Sequence, residues 1–71
     1  MAKMKAYTLT GEQAYNWGKH QDLYRKNLGN DNYELLTFES YEEDGFIIAR
    51  DEHDSAVIMR ENRTYTLYAK Q

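Results

Sequence analysis

The chain reads as a single small α+β domain in the order β-α-β-β-β-β, with an antiparallel meander sheet and one helix packed on one face. Three observations lead there. A capping-box pattern, Thr10-Gly11-Glu12-Gln13, opens one stretch of helical periodicity. Four runs rich in Tyr, Phe, Ile, Val, Leu and Thr follow it, separated by short polar turns. With 71 residues the chain is one domain, 1–71, and buries only roughly 60% of its unfolded surface, so its core is thin.

The first strand, 4–9, alternates weakly and feeds the helix at Thr10. From 11 to 28 the apolar residues Ala14, Trp17, Tyr24 and Leu28, with Gly18 and Gln21, fall on one helical stripe that faces the core. Gly29-Asn30 supplies the stop, and Arg25 and Lys26 suit the carbonyl end of the helix dipole. On the opposite flank Leu23 and Tyr15, beside Lys19 and Lys26, read as exposed. The strand-like runs are 33–39, 46–50, 55–60 and 63–69. Short connections favour antiparallel neighbours, hence the meander. Alternation places Leu36 and Phe38, Phe46 and Ile48, Ala56 and Ile58, and Tyr65 and Leu67 toward the core. Ile47, Val57 and Met59 are then left uncovered on the other face, which argues for a homodimer.

Charge is strongly segregated. Residues 31–54 carry nine acids and one base, Arg50, for −8, while the flanks stand at +3 and +2 and the whole chain at −3. Such segregation concerns encounter with partners more than fold. The chain has no cysteine, which removes disulfides, thiolate metal sites and cysteine nucleophiles, and it has no proline and only four glycines, so no linker is expected. No apolar leader follows Met1, and no stretch approaches the ~18 apolar residues of a membrane span, so the cytoplasm is the expected compartment.

Catalytic chemistry lacks its parts. His20 and His53 have no partners at catalytic spacing, Ser40 and Ser55 lie outside any nucleophile elbow, and turn-borne carboxylates have no cleft in which one could be desolvated. Asp51-Glu52-His53-Asp54 offers metal-ligand types within four residues but reads as a solvated turn, and no cofactor is expected. Asn62-Arg63-Thr64 matches a glycosylation sequon without a secretory context.

The favoured function is a non-enzymatic protein-binding domain. Its acidic turns, Glu42, Glu43, Asp44, Asp51, Glu52 and Asp54, would imitate phosphates and engage a basic, nucleic-acid-binding surface of a partner protein. Tyr33 and Tyr41 are the nearby aromatic contacts, among seven tyrosines, two phenylalanines and one tryptophan. In size and charge the chain is similar to phage-encoded proteins that bind and inhibit a host enzyme, a likeness that covers no motif. Direct nucleic-acid contact is disfavoured, because the sheet region is the acidic region and the pI is near 5.2. The alternative is a nucleic-acid or regulatory module acting through a basic helix face of Tyr15, Lys19, Arg25 and Lys26.

Overall fold

A computed structural model describes residues 3–27, 29 and 32–71. Their order is β1 (Met4–Thr10), α1 (Gly11–Gly18), β2 (Leu23–Lys26), β3 (Tyr33–Tyr41), β4 (Phe46–Arg50), β5 (Ala56–Arg60) and β6 (Thr64–Lys70). The class is α+β, with six strands where the sequence pattern indicates five. All pairings are antiparallel, and the sheet runs β1-β6-β2-β3-β4-β5.

The helix begins where the sequence places it. The Thr10 hydroxyl accepts from the Gln13 amide at 3.1 Å, and the Gln13 side chain accepts from the Thr10 amide at 2.9 Å. It ends ten residues early, at Gly18 rather than at 28, where the His20 and Gln21 amides both turn back to the Trp17 carbonyl at 3.0 and 3.1 Å. Leu23-Tyr24-Arg25-Lys26 instead forms a strand between β6 and β3. Four residues fit helical and extended spacing equally well, and the sheet decides. As a strand the segment pairs with β3 along its four residues and with β6 at Tyr24–Tyr68, and it buries Leu23 completely, opposite Leu36. Leu23, expected at the surface, is therefore core. Leu28, Asn30 and Asp31 lie outside the described residues, so the stop at Gly29-Asn30 is described only at Gly29.

The meander holds for β2 to β5 and then breaks. β6 leaves β5 and inserts between β1 and β2. Only residues 61–63 join β5 to β6, and such a connection spans at most about 14 Å. Strands separated by three others in the sheet order must then meet at their ends, which requires the sheet to curl into a trough. α1 lies in the concave side and packs on all six strands. The core there is Ala14, Leu23, Leu36, Ile47, Met59, Leu67 and Ala69.

The inward phase expected for β3 and β6 is observed: Leu36 and Leu67 are buried, with Phe38 and Tyr65 packed against them. In β4 and β5 it is inverted. Ile47, Ala49 and Met59 are buried, whereas Ile58 is 52% exposed and Ile48 shares its outer face. Both phases of these strands are apolar, so alternation could not choose; the register does. A bulge between Phe38 and Ser40 adds one residue to β3, setting Phe38 opposite Ala49 and Tyr41 opposite Ile47. Ile47 and Met59 are thus buried within the chain and Val57 packs against them, so these three side chains need no second copy to cover them. Among the described residues, no helix is long and apolar enough to cross a membrane.

Candidate functional site

The curl assembles an acidic pole at one end of the sheet. The β3–β4 turn carries Glu42, Glu43 and Asp44, all exposed. Its backbone is fixed: the Glu42 amide donates to the Phe46 carbonyl at 2.7 Å, the Gly45 amide to the Glu42 carbonyl at 3.0 Å, and Gly45 sits at φ +88°, where a side chain would be strained. The β5–β6 turn locks onto it through the Glu61 amide and the Gly45 carbonyl at 2.9 Å. The start of α1 closes the third side, with the Gly11 amide on the Arg63 carbonyl at 3.1 Å and the Glu12 amide on the Glu61 carbonyl at 3.4 Å. Three connections thereby present Glu12, Glu42, Glu43, Asp44 and Glu61 together, against two neighbouring cations, Arg60 and Arg63.

Tyr41 ties this end together. Its hydroxyl lies between the Glu61 carboxylate and the Glu12 carboxylate, the latter at 3.0 Å. Chiefly the Glu61 hydrogen bond, then burial and Glu12, hold the phenol's pKa well above its ordinary value. Its ring packs edge-on against Tyr15 at 5.5 Å between centroids. Tyr33 is elsewhere, at the far end of the nine-residue β3, on the outer face beside Tyr68.

The second acidic turn is put to different use. Asp51 accepts from the His53 and Ser55 amides at 2.9 Å each, and its other oxygen meets the Arg25 guanidinium at 2.6 Å. These contacts hold its carboxyl below the usual aspartate range, the Ser55 amide contributing most, with burial opposing and the His53 amide and Arg25 assisting. Arg25 also faces Glu34 at 3.7 Å, and Glu34, 5% exposed, receives the Asn27 amide at 3.0 Å. Glu39 pairs with Arg50 at 3.2 Å. Asp51 is thus a structural acid, while Glu52 and Asp54 remain exposed. Asp54 takes a left-handed φ of 64°, and its carbonyl accepts from Arg50 at 3.1 Å.

The basic group expected on one helix face is dispersed. Tyr15 and Lys19 stay together near the end of α1, the Lys19 ammonium 4.3 Å from the Tyr15 ring centre. Arg25 points into the trough toward Asp51, and Lys26 lies on the outer face over Tyr33. Glu12 and Glu61 escaped sequence reasoning because they lie 49 residues apart and meet only through the curl. Among the described residues, no three His, Asp or Glu side chains converge as metal ligands. Comparison with protein-family models, curated proteins and solved structures yields no match to the chain.

Proposed function

We propose that this chain is a small non-enzymatic binding protein that docks its acidic pole on a basic surface of a partner protein in the cytoplasm. The observation that carries this reading is the convergence of Glu12, Glu42, Glu43, Asp44 and Glu61 on three mutually hydrogen-bonded connections. Carboxylates held by a rigid frame lose little entropy on binding, and their field steers a cationic partner at a salt-dependent rate. We assign the contact to one of the two acidic turns. Asp51 is neutralised by Arg25, so Glu42, Glu43 and Asp44 carry the contact, and Glu52 and Asp54 form a separate patch beyond β4.

Charge reversal tests it. Immobilised protein is compared with a Glu42→Lys, Glu43→Lys, Asp44→Lys variant for capture of basic proteins from a cell lysate at low and high salt, read by mass spectrometry. Salt-sensitive capture that the triple variant loses, while a Glu52→Lys, Asp54→Lys variant keeps it, supports the pole. Equal capture by the triple variant removes it.

A further inference from the structure

The acidic segment of the sequence is not an acidic face of the sheet. Pairing and register place Tyr24, Lys26, Tyr33, Leu35, Phe46, Ile48, Arg50, Ile58, Arg60, Tyr68 and Lys70 on the outer, convex side. Among the described residues, Glu39, at the bulge, makes its ion pair there, with Arg50. Glu34 and Asp51 face the trough, and Glu42, Glu43, Asp44, Glu52, Asp54 and Glu61 lie in or beside the turns.

On β6, β2 and β3 this side carries aromatic rings and ammonium groups around Leu35. Tyr24 and Tyr68 are directly opposed across β2 and β6. Tyr33 meets Tyr68 edge-on at 5.0 Å between centroids. The Lys70 ammonium stands 5.5 Å from the Tyr24 ring centre and that of Lys26 6.0 Å from the Tyr33 ring centre. On the flank, the Arg60 guanidinium covers Phe46 at 4.9 Å.

We infer that this convex tyrosine and lysine face binds single-stranded nucleic acid. Unpaired bases stack on aromatic rings whatever their sequence, and cations beside those rings meet the phosphates between successive bases. A duplex hides its base faces and would gain only the phosphate contacts. A second copy of the chain is the poorer occupant, since a two-fold interface would gather the lysines of both copies on one contact. The net charge of −3 does not forbid binding, because at physiological salt fields are screened beyond about 8 Å and the described charges beside these rings are lysines.

Fluorescence anisotropy of a labelled 15-nucleotide oligo(dT), titrated with the full chain at about 50 mM salt, tests it. Binding in the micromolar range is expected, with log K falling against log salt with a slope of about −1.4 for two lysines on single strands. Tyr24→Leu and Tyr68→Leu are each expected to weaken binding about tenfold. Lys70→Glu, at an exposed position, should weaken it and reduce the slope by about one while the melting temperature stays near that of the wild type. Poly-glutamate of equal length should fail to compete. No anisotropy change up to roughly 100 μM, full binding by Lys70→Glu, equal competition by poly-glutamate, or a stable dimer in light scattering that protects these tyrosines would each overturn the inference. Reversal of Glu42, Glu43 and Asp44 should leave oligonucleotide binding intact, so this face and the acidic pole fail or stand separately.

Discussion

Leu23 is the residue at which local pattern and tertiary structure disagree most sharply. As an exposed helical leucine its loss would cost little; fully buried against Leu36, its replacement by alanine should cost about 2–5 kcal/mol in urea unfolding. A cost under ~0.5 kcal/mol, usual for surface substitutions, would return it to the surface. Asp51 gives a second measurement at this scale. Its folded pKa is depressed, so its contribution is present above the unfolded value of about 3.9 and is lost as pH falls through the lower folded value. The stability gap between wild type and Asp51→Asn should therefore be constant near neutrality and narrow below about pH 4, as thermal unfolding across that range would show. A gap unchanged at acid pH would deny Asp51 its role. The aspartate and its two amide donors lie in one turn of the sequence, but Arg25 was not legible as its partner, because it lies 26 residues away and arrives on a strand that local pattern reads as helix.

Among the elements, α1 shows how a local signal can be right about a start and silent about an end. The capping box closes within four residues, so the sequence contains all of its partners. The helix end has no such local determinant, since the demand for a strand between β6 and β3 comes from other parts of the chain. The docking of α1 is equally non-local. At its first residue, Gly11, an added Cβ would stand 2.3 Å from the Arg60 carbonyl oxygen of β5. Alanine is the better helix former by about 1 kcal/mol, yet Gly11→Ala should lower the melting temperature because backbone on both sides must give way. A raised melting temperature would mean that the contact is loose. The inversion of β4 and β5 belongs to this scale too. Both faces of Phe46–Arg50 are apolar, and one bulge residue in β3 chooses which is buried.

For the whole molecule, the organising fact is that charge is sorted by location in the fold and not by position along the chain. The clustered carboxylates of the acidic pole repel one another, so stability should rise as salt screens them, between about 0.02 and 0.2 M. Differential scanning calorimetry checks this, and a melting temperature that falls over that range would show that the pairs Arg25–Asp51 and Arg50–Glu39 outweigh the pole. The sequence by itself determined the α+β class, the capped start of α1, the strand-rich character of the later chain and the segregated charge. Each of these is a property of neighbouring residues or of composition. Tertiary structure alone decided that 23–26 is a strand, which face of β4 and β5 is core, that β6 inserts between β1 and β2, and that Glu12 and Glu61 join Glu42–Asp44. It also set Tyr24, Tyr33 and Tyr68 beside Lys26 and Lys70 on the convex face, away from the acidic pole. The physical reason is common to all of these: ladder hydrogen bonds and burial are satisfied between residues distant in sequence, and the curl that satisfies them has no local code.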